Sequence, residues 1–312
     1  MNIDFEGEKI VSVEDGQTIL EASLRGGIRH FHACGGNAKC STCRIKILEG
    51  SENLSAINKR EQRLRKSILL SPDVRLACQT TIIKGSIKVS RLIRDESDIA
   101  KQLTKKRNQS IDTLLRRPLG EERHLVLFFL DIRDFTPFVE TNLPYDVIAI
   151  WRRLFGIFHS VITTHSGQIV ETAGDQLYAV FGFRSSLKEA SRAAIESGTG
   201  IIKELEKFND TYAGIAFPNG FQVGIGIHSG RVIVGEMQLG KIIKTSVMGL
   251  AVNIASRIQD STKTLNNSFV VSDEVLAHST LEANGSEKMI NLKGISSPIR
   301  VHLLGKPYVT PR

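Results

Sequence analysis

Apolar and polar positions follow different periods in different parts of the chain. In the first part, residues 10–13 read as a strand and residues 18–25 as a helix. In the second part, the run HLVLFFLD has the character of a buried strand and ends at Asp131. Residues 146–165 repeat apolar side chains at helical spacing, which predicts an amphipathic helix with a core-facing side. The positions that define this side are Val147, Trp151, Leu154, Phe158 and Val161.

Two glycine-containing segments of the second part predict turns between strands. Gly174 and Asp175 separate two strand-like runs. The segment FQVGIGIHSGRVIVG is predicted to form a further pair of strands, joined through His228 to Gly230. Strands alternating with long helices indicate a mixed α and β domain.

A charged stretch with few apolar positions separates the two parts. Residues 91–123 are predicted to contain a short helix that ends at Pro118 and Gly120. A passive tether and a helix that transmits a signal are both compatible with this pattern. We therefore expect three regions in the 312 residues: a domain over 1–90, a linker over 91–123 and a domain over 124–312.

The composition is that of a globular protein, with 41% hydrophobic and 24% charged residues. No run of about 18 apolar residues occurs, and the first residues are acidic, so we expect a cytoplasmic protein without membrane insertion. The net charge of +8 divides into +4, +3 and +1 over residues 1–90, 91–123 and 124–312. The basic runs lack interleaved aromatic residues, which favours solvated helix faces over a nucleic-acid or membrane surface.

All four cysteines lie in the first quarter of the chain, at Cys34, Cys40, Cys43 and Cys78. Disulfides are disfavoured in a reducing compartment, so thiols spaced as C-x5-C-x2-C with a distant fourth member indicate a metal site. Structural zinc sites usually take two short-spaced pairs, whereas one loop supplies three sulfurs here. The spacing favours a 2Fe-2S cluster; a four-cysteine zinc site and unligated cysteines are the alternatives.

The segments around these cysteines resemble those of 2Fe-2S ferredoxins. HACGGNAKCSTCRIKILEG and RLACQT look like that family's cluster-binding segments, with the x5 spacing of the adrenodoxin branch and not the x4 spacing of plant-type proteins. The resemblance spans residues 1–90 and implies a beta-grasp fold with an electron donor or reductase as partner. Such ferredoxins usually present an acidic face to a reductase, while the segment before Cys78 is basic here.

The second part carries five ordered motifs of another family. They are FFLDIRDFT (128–136), ETAGDQLYAVFG (171–182), VGIGIHSGRVIVG (223–235), SVMGLAVNIASR (246–257) and NLKGI (291–295). Their order and spacing resemble the catalytic domain of class III adenylyl and guanylyl cyclases. The expected fold class is therefore α+β in two domains, a beta-grasp 2Fe-2S ferredoxin followed by a nucleotidyl cyclase domain with a βαββαβ core.

Cyclic nucleotide formation explains the two aspartates in these motifs. The ribose 3'-hydroxyl attacks the α-phosphate and expels pyrophosphate, a reaction that two divalent cations, Mg²⁺ or Mn²⁺, can assist. The resemblance implies that Asp131 and Asp175 bridge both metals and that the Ile132 carbonyl is a further ligand. The alternative for Asp175 is an ordinary turn aspartate.

Asn253 and Arg257 are four residues apart in a predicted helix and therefore share a face. By resemblance, Asn253 orients the ribose and Arg257 stabilises the α-phosphate charge in the transition state. A surface ion pair is the alternative for Arg257. The residues that the resemblance places at the triphosphate are Phe135, Thr136, Arg231 and Lys293. In the family the metal carboxylates and the Asn/Arg pair come from opposite partners, which implies a homodimer with two shared sites.

Two residues bear on the choice between GTP and ATP. Relatives that use ATP commonly have a lysine where this chain has Glu171, and an aspartate or threonine where it has Ser246. A carboxylate accepts from the N1–H and 2-amino groups of guanine, and a hydroxyl donates to O6. The pair favours GTP with ATP as the alternative, and a salt bridge at the pocket wall is the other interpretation of Glu171.

Three hypotheses for the whole chain follow. The first is a cyclase controlled by the redox state of its cluster. The second is an electron-transfer protein whose cyclase-like module binds nucleotide without turnover; such a degenerate module would be expected to have lost an essential residue, and Asp131, Asp175, Asn253 and Arg257 are all present. The third is a cyclase whose cluster is a structural staple.

Overall fold

The computed structural model describes residues 1–94, 120–213, 220–239, 242–280 and 285–309. The chain divides into two compact units, Met1–Glu121 and Glu122–Arg312. Most of the predicted linker, including the helix end at Pro118, lies outside the described residues, so the linker helix stays a prediction.

The first unit is built on a five-stranded sheet with the strand order β2-β1-β5-β3-β4. Its elements are β1 (Asn2–Phe5), β2 (Lys9–Ser12), α1 (Ile19–Arg25), β3 (Arg44–Glu49), a 3-10 turn (Ser51–Asn53), α2 (Lys59–Ser67), β4 (Val74–Leu76) and β5 (Ser86–Arg91). Strands β1 and β5 are parallel and the other pairs are antiparallel. Helix α1 packs its buried residues Ile19 and Leu20 into the core with Phe5 and Ile45. This is the arrangement expected for a beta-grasp domain.

The two helices in the described residues of this unit begin where the local sequence favours a start. Thr18 caps α1: its Oγ1 accepts from the Glu21 N–H, and the Glu21 carboxylate accepts from the Thr18 N–H. Asn58 caps α2 by accepting from the Glu61 N–H at 2.9 Å. The carboxylate of Glu61 is fully buried and accepts from Arg75 Nε and from the Leu76 N–H, each at 3.0 Å. These bonds fix α2 against β4.

The second unit is built on an eight-stranded sheet: seven strands follow the order β12-β13-β11-β9-β6-β8-β7, and the eighth, β10, pairs with β9. Its strands are β6 (Glu121–Ile132), β7 (Gln168–Ala173), β8 (Gln176–Phe181), β9 (Val223–Leu239), β10 (Ile242–Met248), β11 (Phe269–Ser272), β12 (Ser286–Ile290) and β13 (Ile299–Leu303). Its helices are α3 (Phe135–Thr141), α4 (Pro144–Thr164), α5 (Leu187–Phe208), α6 (Leu250–Thr264) and α7 (Asp273–Ser279), and a π-helical turn (Asn209–Ala213) follows α5. The two-domain α+β class is confirmed.

The predicted turn through His228 to Gly230 is wrong, because β9 runs through these residues as one strand. Gly230 serves a different purpose. A Cβ atom at this position would lie 2.6 Å from the Ala251 Cβ, which is closer than packed carbon atoms approach. The glycine therefore allows helix α6 to lie directly on the strand and does not reverse the chain.

The predicted apolar side of α4 is shifted in the structure. Leu154 and Phe158 are buried as expected, while Val147, Trp151 and Val161 are half-buried. The residues that α4 buries are Ile150, Leu154, Phe155, Phe158 and Ile162. By length and composition, α4 is also the one candidate membrane span in the described residues, although this buried side packs into the core of the unit.

Candidate active site and cluster site

The four cysteines of the first unit are free thiols that form two interacting pairs. Cys34 and Cys40 share one hydrogen bond, and Cys43 and Cys78 share another. The hydrogen bond from Cys40 lowers the pKa of the Cys34 thiol to about 5, and backbone amides of the loop act in the same direction. The first pair lies half-exposed at the loop, while Cys43 and Cys78 are buried.

The loop backbone is shaped so that its amides reach the sulfurs. The N–H groups of Lys39 and Asn37 point to Cys34, and that of Ala38 points to Cys78. Gly36 has φ +81° and Ala38 has φ +53°, both in the left-handed region that makes such a nest of amides. Amides directed at sulfur stabilise the thiolate form that binds a metal.

This donor set fits a binuclear cluster. A 2Fe-2S cluster takes four cysteine thiolates, two on each iron, and the structure supplies two pairs. One of these pairs is half-exposed and the other is buried, and together they match the ligand count of such a cluster.

In the second unit, Asp131 and Asp175 lie at the same end of the sheet. Asp131 is next to last in β6 and pairs with Gln176, the first residue of β8, so Asp175 in the preceding turn lies beside it. Burial and the charge of Asp175 raise the pKa of the Asp131 carboxyl. A divalent cation would relieve this repulsion, so the pair fits the predicted metal site. The Ile132 carbonyl belongs to the same strand end.

Two side chains that were not predicted as site residues contact this end of the sheet. Lys263 Nζ lies 4.0 Å from Asp131 Oδ1. Trp151 Nε1 donates to the Gly174 carbonyl at 3.0 Å, so a residue assigned to the core holds the turn that carries Asp175. No sequence signal pointed to Lys263, because it lies far from the motif that contains Asp131.

The base-selecting candidates lie on β7 and β10 and include a third residue. Glu171 on β7 forms an ion pair with Lys244 on β10, Nζ to Oε1 at 2.9 Å. Lys244 and Ser246 are two residues apart in one strand and so face the same side. Lys244 was not among the predicted residues, although the period of two along a strand places it on the same side as Ser246. The salt bridge considered as the alternative for Glu171 is present.

Asn253 and Arg257 lie on α6 and are both exposed on the same face, as predicted. Arg257 reaches Asp260 at 3.4 Å, which is the surface ion pair considered as its alternative. Lys263, which contacts Asp131, follows Asn253 by ten positions on this helix, or about 15 Å along its axis at 1.5 Å per residue. Asn253 and the Lys263 contact with Asp131 therefore lie toward opposite ends of α6.

The four residues predicted at the triphosphate are spread over three segments. Phe135 and Thr136 open α3 directly after the Asp131 segment, with Phe135 packed on Phe138 at a ring distance of 5.8 Å. Arg231 on β9 is exposed and lies 3.4 Å from Glu122. Lys293 is exposed in the loop between β12 and β13. Their roles stay predictions.

Comparison with known proteins gives the family of each unit. The family model of the adenylate and guanylate cyclase catalytic domain matches residues 120–305, and that of the 2Fe-2S iron-sulfur cluster binding domain matches residues 3–82. The chain belongs to the class III adenylate and guanylate cyclase family and carries a 2Fe-2S ferredoxin-type domain before the catalytic domain.

The similar curated proteins include adenylate cyclases of two bacteria. Adenylate cyclase 1 of Rhizobium meliloti is 28% identical over 50% of this chain and 23% of its own length. The adenylate cyclase of Anabaena cylindrica is 26% identical over 58% of this chain and 36% of its own length. The chain thus covers about a quarter to a third of these relatives.

Solved structures agree on the fold. The guanylyl cyclase Cya2 is 26% identical, with a TM-score of 0.54 over 59% of this chain and 92% of that chain. The adenylyl cyclase CyaB from P. aeruginosa is 21% identical, with a TM-score of 0.55 over 62% of this chain and 97% of that chain. At 21% identity, the similarity to CyaB shows the fold alone.

Proposed function

We propose that this protein makes a 3',5'-cyclic nucleotide and pyrophosphate from a nucleoside triphosphate, that it prefers GTP to ATP, and that its 2Fe-2S cluster controls the rate. The observation that carries the cyclase proposal is the pairing of β6 with β8, which sets Asp131 and Asp175 side by side. Because the raised pKa of Asp131 reflects its burial and the charge of Asp175, the pair is suited to cations.

Two divalent cations, Mg²⁺ or Mn²⁺, would supply activation of the 3'-hydroxyl and charge neutralisation at the phosphates. Asp131, Asp175 and the Ile132 carbonyl would hold them. Asn253 would orient the ribose, and the guanidinium of Arg257 would stabilise charge that grows on the α-phosphate. Arg231, Lys293 and the start of α3 at Phe135 and Thr136 would hold the outer phosphates.

The homodimer in this proposal is supported by the positions of these groups along α6. The catalytic face of α6 lies about 10 to 15 Å along the helix from the Lys263 contact with Asp131. A two-fold dimer would join one protomer's carboxylates to the other's Asn253 and Arg257. Exposed apolar side chains support such a contact. They are Ile233, Met237, Ile243, Met248 and Leu250 around the β9–β10 hairpin, Val139 on α3, Tyr145 and Ile148 on α4, and Leu143 between these two helices.

The preference for GTP rests on the Glu171 and Lys244 pair. A carboxylate can accept from both the N1–H and the 2-amino group of guanine, while adenine offers it one amino group. Lys244 and the Ser246 hydroxyl can donate to the guanine O6. Lysine at the wall also neutralises the carboxylate when no base is bound.

The proposal of redox control rests on the fusion of the two domains and on the cysteine set that fits a cluster. An electron donor or reductase is then an expected partner, and the cytoplasm is the expected location because its reducing poise keeps such thiols free of disulfides. A cluster that only holds its domain together is the competing account.

The test is an anaerobic assay of the purified, cluster-containing protein with Mn²⁺ and either GTP or ATP. We expect cyclic GMP as the main product, and loss of about a thousandfold in rate for Asp131→Asn and for Asp175→Asn, since each removes a shared metal ligand. Asp146→Asn, an exposed aspartate of α4, is the control. No product from either nucleotide, with a cluster that still accepts electrons, would favour an electron carrier with a non-catalytic module.

A further inference from the structure

Helix α2 carries a stripe of positive charge on its solvent side. Lys59, Arg63 and Lys66 follow each other at helical spacing and are exposed, and Arg60 flanks them. We call these four residues the α2 basic face. The opposite side of the helix holds Glu61, which is fully buried.

The charge of the α2 basic face is not balanced by the protein. Within the described residues, none of its four side chains has an ion-pair partner within 4.0 Å, whereas Glu61, the one acid of the helix, is bound to Arg75. Directly after the helix, Leu69 is fully exposed and Ile68 is partly exposed. An apolar contact beside a charged rim is the usual composition of a docking surface.

A short hydrogen-bonded path joins this helix to the cluster site. Asn58, the N-cap of α2, donates from Nδ2 to Gln79 Oε1 at 3.1 Å. Gln79 in turn donates from Nε2 to the sulfur of Cys78 at 3.4 Å and to the Gly36 carbonyl at 3.2 Å. Lys59, the first residue of the α2 basic face, therefore follows Asn58, and two hydrogen bonds connect Asn58 through Gln79 to Cys78.

We propose that the α2 basic face docks a protein with an acidic surface that delivers single electrons to the cluster. The inference rests on the proposed redox role of the cluster and adds the charge of its partner. Charge complementarity requires that the partner's surface be negatively charged. The hydrogen-bonded path through Asn58 and Gln79 explains why this surface serves electron transfer. A nucleic acid would also bind a positively charged surface. However, α2 has no aromatic side chain on which a base could stack, and nucleic-acid binding would not explain the hydrogen-bonded path to the cluster site. In the transfer, the donor loses one electron and one ferric ion of the cluster becomes ferrous, so no proton or atom moves between the proteins.

Stopped-flow spectroscopy on the cluster-containing full chain tests this, with fully reduced flavodoxin, a small acidic flavoprotein, as the probe. Bleaching of the cluster absorbance gives the second-order rate constant. We expect the rate to fall about tenfold as salt rises from low to high concentration, because steering by charge is screened. Arg63→Glu should lower the low-salt rate about tenfold and weaken its salt dependence.

Lys9→Glu is the matched control, because it makes the same charge change at an exposed residue of β2, the strand at the opposite edge of the sheet from β4. Its rate should stay close to that of the parent. The reduction potential and the electron paramagnetic resonance spectrum should be the same in both variants, which excludes damage to the cluster.

Equal low-salt rates for Arg63→Glu and Lys9→Glu would overturn the proposal. So would binding of a DNA or RNA oligonucleotide that Arg63→Glu abolishes while the flavodoxin rate is unaffected. Because the readout is cluster absorbance and not cyclic nucleotide, failure of the cyclase proposal would leave this result interpretable.

Discussion

Lys244 Nζ lies 2.9 Å from Glu171 Oε1, so the carboxylate that we assign to base selection meets a cation in the protein itself. Both side chains are substantially exposed, at 43% and 60%. An exposed ion pair of this kind contributes about 0 to 1 kcal/mol to folding. Its effect is therefore expected in nucleotide selection and not in stability.

Replacing Lys244 by alanine should raise the KM for GTP about tenfold while the melting temperature stays unchanged, because one hydrogen bond to the base is lost. Glu171→Ala should lower the ratio of kcat/KM for GTP to that for ATP by about tenfold or more, since two guanine donors lose their acceptor. Steady-state kinetics with both nucleotides checks this, with Lys188→Ala on α5 as control. An unchanged GTP to ATP ratio in Glu171→Ala would remove this residue from base selection.

If the active site is shared between two protomers, as we propose, two inactive variants should complement each other. Asp131→Asn lacks a metal ligand and Arg257→Ala lacks the transition-state cation, so each homodimer should be inactive. A mixed dimer keeps one complete site, and random exchange of subunits should restore about a quarter of the parent activity. Mixing Asp131→Asn with Asp175→Asn is the control, because both changes affect the same half of the site. Activity that stays at the level of the separate variants would contradict a shared site.

The buried Glu61 and Arg75 pair should stabilise the first unit near Cys78. Glu61→Ala leaves the Arg75 guanidinium without its partner and the Leu76 N–H without its acceptor, so we expect a loss of about 3 to 5 kcal/mol. The measurement is the temperature at which the visible absorbance of the cluster is lost. The double variant Glu61→Leu/Arg75→Met should recover most of the loss, since it removes both charges.

Glu52→Ala, at an exposed acid of the same unit, is the control for Glu61→Ala and should leave that temperature unchanged. An equal effect of Glu52→Ala and Glu61→Ala would show that the buried pair is not the source of the stabilisation.

His228 should make the second unit less stable in acid. Burial lowers the pKa of His228 below its ordinary value of 6.5; Glu274 opposes the shift and His124 adds to it. Its Nδ1 lies 2.9 Å from Ser272 Oγ. In the unfolded chain this histidine takes up a proton as the pH falls below 6.5, while the folded form resists protonation. Stability is therefore complete above that pH and declines as the pH falls from there toward the lowered pKa.

Urea unfolding followed by the fluorescence of Trp151, the single tryptophan of the chain, measures this for the second unit. His228→Gln should reduce the difference in unfolding free energy between pH 7.5 and pH 5, whereas His159→Gln at an exposed position of α4 should not. The same difference in both variants would assign the acid effect to other groups.

Much of the fold could be predicted because local and periodic signals agree. Thr18 and Glu21 form the capping box that starts α1. The spacing of Cys34, Cys40 and Cys43 predicts a loop that wraps a cluster. Asp131 at the end of a buried strand and Asp175 in a glycine turn are brought together by simple antiparallel pairing. Such features depend on neighbours in sequence or on one strand pair.

Other features depend on contacts between distant segments, which a single sequence does not reveal. Gly230 looks like a turn residue, but the approach of Ala251 is the reason for its small size. Lys263 and Trp151 contact the segments of Asp131 and Asp175 from α6 and α4, which lie far from these segments in sequence or outside the motifs that contain them. Lys244 had a usable signal in its strand spacing to Ser246, but its partner Glu171 comes from β7, more than 70 residues earlier, as the separation of 73 shows.

The most direct test of redox control compares one anaerobic sample of the cluster-containing protein before reduction, after dithionite reduction and after reoxidation. The measured quantity is the initial rate of cyclic GMP formation from GTP with Mn²⁺. We predict that the rate changes on reduction and returns on reoxidation, and that Cys78→Ser, which removes a proposed cluster ligand, loses this response. Equal rates in the oxidised, reduced and cluster-free protein would contradict it and leave the cluster as a structural element.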